Sequence, residues 1–214
     1  MLRSIPPELG ETAPLAILLG AAVGAGLVHL LSGTVGQSSS ESLEVLALGS
    51  LQVFAPVGVN LVWILRSAPL RVEQAARWQL KHRDAVAGPV PDWRPRQFQL
   101  TSAALVAVLL MPWFLGALLL GGLLATPRAG LGLGSELREL VGLITPADLA
   151  QGVLRTAVFA AAAQAVCLHK GSQVRRSTAE LPRLIADAVP ECLLVVTALE
   201  AIWIMVAPLH GTYA

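Results

Sequence analysis

The apolar residues of this chain are gathered into runs of about 20, the length that crosses roughly 30 Å of hydrocarbon as a helix rising 1.5 Å per residue. The runs extend roughly from Pro14 to Leu31, Leu43 to Ile64, Phe98 to Ala125, Leu149 to Leu168 and Ala188 to Pro208. They predict an all-α integral membrane protein with about five transmembrane helices. Composition agrees: 55% of the 214 residues are hydrophobic and 14% are charged, with a mean hydropathy of +0.67. A water-soluble domain of this size could not bury that much apolar surface. The first run is expected to be mature protein rather than a cleaved leader, because Arg3 is the only basic residue before it and no small-x-small site precedes a soluble domain. The third run is longer than one perpendicular crossing needs and carries Pro112, Gly116, Gly121 and Gly122. It is expected to be tilted, kinked or partly re-entrant.

Basic residues give these spans a direction. Arg66, Arg71, Arg77, Lys81, Arg83, Arg94 and Arg96 fall in the 66–97 connection, and Lys170, Arg175, Arg176 and Arg183 in the 169–187 connection. The opposite connections hold only Arg128 and Arg138. The positive-inside rule predicts a cytoplasmic N-terminus, two basic cytoplasmic loops and an outer C-terminus. Because the basic residues report topology, the formal net charge of +1 gives no indication of a nucleic-acid partner.

Sequence motifs for soluble chemistry are missing. His29, His82, His169 and His210 are scattered without metal-ligand spacing, so neither a metal nor a cofactor is expected. The Gly130 to Gly134 run is not followed by Gly-Lys-Ser/Thr and reads as a connection rather than a phosphate loop. The chain therefore has no visible means of hydrolysing a nucleotide, and it is expected to be no enzyme; a partner would supply energy. Cys167 and Cys192 read as small apolar residues near cytoplasmic helix ends.

The 66–97 connection carries the clearest extramembrane signal. From Pro69 to about Ala87 the spacing predicts a separate amphipathic helix, opened by Pro69 and ended by Pro89, Pro91 and Pro95. Val72, Ala75, Ala76 and Leu80 share one face, while Glu73, Arg77, Lys81 and Asp84 share the other. Glu73 and Arg77 are spaced for an i,i+4 pair worth about 0.3 kcal/mol. Such a helix either lies on the inner leaflet or docks a cytoplasmic protein.

Two stretches extend this reading to a family. Leu51-Gln-Val-Phe-Ala-Pro56 followed by Leu70-Arg-Val-Glu-Gln74, and Gln151-Gly-Val-Leu-Arg-Thr-Ala-Val-Phe159 followed by Cys167, Gly171 and Ala179-Glu180, resemble the MlaE/YrbE permeases, the membrane subunits of MCE-associated ABC lipid transporters. Ala75-Ala76-Arg77-Trp78 replaces the family's Ile-Asp-Ala-Leu, and Leu181-Pro182-Arg183 follows Glu180 in place of Gly-Val-Gly, as in a divergent member. The resemblance implies a permease subunit that moves phospholipid between the bacterial inner membrane and an outer-side MCE-domain protein. It also implies a separate cytoplasmic ABC ATPase and a second permease copy or paralogue. Only Glu73 and Gln74 match at the coupling helix, with Arg71 and Arg77 added from the helical wheel; Ala179 and Glu180 match in the last cytoplasmic loop. The expected organisation is a short cytoplasmic segment (1–13), a single permease domain (14–209) and an outer tail (210–214).

Within the spans, Arg155 and Glu200 are ionisable groups that hydrocarbon tolerates only when paired or hydrated. They either approach one another across consecutive antiparallel spans and face a wet substrate path, or snorkel and pack individually. Asn60 and Gln164 either line that path or bridge helices, as single amides in spans commonly do. Gly20 and Gly24 form a Gly-x-x-x-Gly pair that serves either the fold or a dimer face. A non-transporting membrane scaffold that recruits a partner through its amphipathic loop is the alternative function.

Overall fold

The computed structural model describes residues 5–34, 49–83, 93–125, 134, 138, 141–142, 144–174 and 178–206. Five long helices account for nearly all of them: α1 (Ile5–Thr34), α2 (Ala55–Arg83), α3 (Trp93–Ala125), α4 (Pro146–Ser172) and α5 (Leu181–Val206). A π-helical segment, Ser50–Phe54, leads into α2, and a 3-10 turn, Thr178–Glu180, leads into α5. Each expected crossing corresponds to one helix that is long and apolar enough to span a membrane.

The structure departs from expectation at the prolines. No separate helix starts at Pro69, because α2 runs through it as one helix of 29 residues. Pro14 likewise sits inside α1, which begins at Ile5. Pro112 sits inside an unbroken α3 of 33 residues, which leaves no re-entrant turn there. Pro95 lies in the first turn of α3, where a missing N–H costs nothing. The expected stops at Pro89 and Pro91, and most of the Gly130 to Gly134 run, lie outside the described residues.

The chain divides into two compact units. The first comprises Met1–Val62 and Val106–Thr156. Its main seam joins α1 to α3 through glycines. A Cβ added to Gly20 would lie 2.6 Å from the Phe114 carbonyl oxygen, one on Gly24 would lie 1.9 Å from the Leu118 carbonyl oxygen, and one on Gly121 would lie 2.3 Å from the Ala21 carbonyl oxygen. The Gly-x-x-x-Gly pair thus serves the fold of one chain, bringing two backbones together as small residues do in membranes. Gly58 gives way to the Phe114 ring in the same manner.

In this unit the π segment has a local cause. The Ala55 N–H reaches back to the Ser50 carbonyl in the wide π register, and Pro56 then has no N–H to offer the next carbonyl, that of Leu51. Gly152 of α4 faces that carbonyl, and a Cβ there would stand 2.9 Å from its oxygen. The start of α4 is closed by a reciprocal cap. The Asp148 N–H donates to Thr145 Oγ1 at 3.2 Å, and the Thr145 N–H donates to Asp148 Oδ2 at 3.3 Å. Gln52 also donates to the Asp148 carboxylate, tying the π segment to this cap. Asp148→Ala should lower stability by about 1 kcal/mol, a fall of roughly 2–4 °C in the thermal midpoint, with Asp148→Asn closer to wild type. A thermal ramp of the detergent-solubilised protein checks this.

The second unit comprises Trp63–Leu105 and Ala157–Ala214. Trp63, Ile64, Ala68, Val72 and Ala76 of α2, Ala103 of α3, Phe159, Ala160, Ala163 and Cys167 of α4, and Ala188, Cys192 and Val196 of α5 are buried. Cys167 and Cys192 bring their sulfurs to 3.7 Å, and Cys192 Sγ donates to the Ala163 carbonyl at 3.4 Å. Lys170 Nζ lies 2.5 Å from Glu191 Oε2, a second α4–α5 tie.

Candidate functional site

The second unit contains all six residues expected to couple the chain to a partner. Along the amphipathic end of α2 the repeat of apolar residues predicts which side turns inward, and the structure agrees: Val72 and Ala76 are buried, and Ala75 and Leu80 are partly covered. The end of α4 packs against three of them, Val72, Ala75 and Ala76. Gly171 lies so close that an added Cβ would meet Ala75 Cβ at 2.4 Å, the Val72 carbonyl oxygen at 2.9 Å and the Ala76 nitrogen at 3.1 Å. Two sequence stretches that matched the family separately are therefore one packed contact, with the glycine required by backbone proximity.

On the other side of the same helix Arg77 ion-pairs with Glu73, the expected i,i+4 partner. Both side chains reach solvent, at 73% and 31% exposure, so the pair adds only a few tenths of a kcal/mol to the helix. Arg71 is partly covered and Gln74 is exposed. Leu70 and Trp78 are also exposed, at 51% and 41%, and they extend the outward stripe across two turns: Leu70, Gln74, Arg77, Trp78. Sequence reading treated Trp78 only as a departure from the family pattern. The signal that would have revealed it is its i+4 spacing from Gln74 and i+8 spacing from Leu70.

Ala179 and Glu180 are exposed on the 3-10 turn before α5. Glu180 lines a polar cavity of about 580 Å³ together with Ser172 and Gln173 from the end of α4 and Arg183, Leu184 and Asp187 from the first turns of α5.

The residues expected within the spans are divided between the units. Asn60 and Arg155 belong to the first, where both are buried, Arg155 at 3% exposure. Asn60 Nδ2 donates to the Pro56 carbonyl at 2.7 Å on its own helix and to the Thr156 carbonyl at 3.3 Å on α4. Glu200 belongs to the second unit and is 8% exposed. It ends a stripe of buried residues on α5, Ala188, Cys192, Val196 and Glu200, spaced four apart.

The family model described as Permease MlaE aligns with residues 99–206, just over half of the chain, which spans nearly all of α3 and the whole of α4 and α5. The chain belongs to the MlaE permease family. No curated protein matches it. As an MlaE permease it is a multi-pass membrane subunit of an ABC-type transporter. The matched range contains Arg155, Gly171, Ala179, Glu180 and Glu200, whereas Glu73, Gln74 and Asn60 precede it. For an MlaE permease of this divergence, the α2 residues expected to meet a partner therefore rest on their own geometry.

Proposed function

We propose that this protein is the permease subunit of a phospholipid transporter of the bacterial inner membrane, driven by a separate cytoplasmic ABC ATPase and exchanging lipid with an outer-side MCE-domain protein. The observation that carries the proposal is the end of α2. One face is clamped by Gly171 and the opposite face presents Leu70, Gln74, Arg77 and Trp78 to a partner. A coupling element needs that combination, since a partner's closure is transmitted only if the docked segment is held from behind. Aromatic and arginine side chains are also the usual anchors of a protein interface. Ala179 and Glu180 border the same docking region in this reading. The N-terminus and both basic loops lie in the cytoplasm, and a second permease copy or paralogue completes the membrane part.

Arg155 and Asn60 of the first unit, and separately Glu200 of the second, are substrate-contacting residues in this proposal. The burial of Arg155 and Glu200 supports this, because ionisable groups held inside a membrane domain without a task are a net expense of about 3 kcal/mol each. Arg155→Met and Glu200→Gln should each slow lipid transfer by roughly ten-fold, equivalent to about 1.4 kcal/mol, while leaving assembly with the ATPase unchanged. Transfer of labelled phospholipid between proteoliposomes and the MCE-domain partner measures this. Full activity in both variants would remove these residues from the path.

Copurification with the ATPase tests the function as a whole. A permease retains the nucleotide-binding subunit and raises its rate of ATP hydrolysis when phospholipid is present. A scaffold retains its partner without that stimulation.

A further inference from the structure

Two amides of the spans, Asn60 and Gln164, are fully buried but are treated differently. Asn60 bridges α2 and α4 through Nδ2, leaving only its Oδ1 without a partner among the described residues. Gln164 of α4 is just as deeply buried, at 0% exposure, yet neither its oxygen nor its nitrogen meets a hydrogen-bond partner among the described residues. The indole N–H of Trp63, another fully buried group of the second unit, likewise meets no acceptor there. Gln164 precedes Gly171 by about two helical turns, so it shares the side of α4 that Gly171 turns toward α2. An amide shut away without partners is costly, and hydrocarbon supplies no water to relieve it. A methionine would fill nearly the same space at no such cost.

We propose that Gln164 is a head-group-binding residue, whose partners are the oxygens of a phospholipid that reaches it when the helices around α4 part during the transport cycle. The amide's hydrogen-bonding capacity fits that chemistry: it offers a carbonyl and two N–H groups. Phosphodiester and ester oxygens are acceptors that complement them, and the amide carbonyl accepts from a head-group hydroxyl or ammonium. The orphaned amide also raises the energy of the closed arrangement, which makes binding of the lipid more favourable. This inference rests on the phospholipid-permease reading and adds a specific binding residue to it.

The test uses the full chain assembled with its ATPase, titrated with phosphatidylglycerol and, separately, with a diacylglycerol of the same acyl chains but no phosphate. Wild type should bind the phospholipid more tightly than the diacylglycerol. Gln164→Met should weaken phosphatidylglycerol binding roughly ten-fold, leave diacylglycerol binding unchanged, and keep or raise the thermal midpoint. Gln164→Leu, of different shape, should do the same. Unchanged phosphatidylglycerol affinity in the variants would overturn the inference, as would a lowered midpoint with equal losses for both lipids, which marks a structural amide. If wild type binds neither lipid, the phospholipid reading itself falls and this inference with it.

Discussion

Gly24→Leu should lower the thermal midpoint of the solubilised protein by roughly 6–12 °C, whereas Gly26→Ala, two residues away on the same helix, should leave it unchanged. A Cβ at position 24 would stand 1.9 Å from the Leu118 carbonyl oxygen, 2.8 Å from its carbon and 3.0 Å from the Gly122 nitrogen. All three are backbone atoms, so no rotamer change relieves the overlap, and α1 must move away from α3. Overpacking of a tight contact costs about 3 kcal/mol, and a chain of this size loses about 2–4 °C per kcal/mol. At position 26 an added Cβ meets nothing within 4 Å, and alanine is the better helix former. Equal midpoints for the two variants would show that the α1–α3 seam contributes little.

Trp78→Ala should weaken association with the ATPase about 30-fold, and Glu73→Lys or Arg77→Glu should abolish the phospholipid-stimulated part of its ATP hydrolysis. The first estimate takes about 2 kcal/mol for an aromatic anchor on an interface. The charge reversals act at exposed positions whose mutual ion pair contributes little to folding, so the thermal midpoint should change by no more than about 0.5 kcal/mol would shift it. That separation between binding and stability is the diagnostic. Variants that keep full stimulation would remove this face of α2 from the proposed docking surface.

How much of this was legible in the sequence differs between its parts for physical reasons. The spans were readable because crossing hydrocarbon is a demand on length and composition alone, which five apolar runs meet without reference to one another. The amphipathic face that begins at Pro69 was readable too, because burial follows the helix period: Val72 and Ala76 are buried and Ala75 and Leu80 partly covered. The prolines misled. Pro69 reads as a helix start, but in a long helix packed on its neighbours a proline removes one hydrogen bond without ending the helix, as Pro14, Pro112 and Pro190 also show. Facts that depend on distant partners were not available at all. Nothing in the residues around Asn60 and Gln164 indicates that one amide finds the Thr156 carbonyl and the other meets no partner among the described residues. Nor does a separation of 25 residues indicate that Cys167 and Cys192 come to 3.7 Å. The Gly20–Gly24 pair announced close approach but not to what; the answer, α3 of the same chain, lies some 90 residues away.

The narrow buried stripe of α5 has a consequence for handling the protein. Ala188, Cys192 and Val196 are small, so they contribute little contact area, while Leu194 and Met205 turn outward at 70% and 73% exposure with Ile202 and Ile204 beside them. Most of what keeps this helix in place is therefore the transfer of its outer surface from water into whatever amphiphile surrounds it, at about 25 cal/mol per Å². Its seating depends on the solubilising agent, and extraction into bilayer-like particles preserves α5 better than short-chain detergent does.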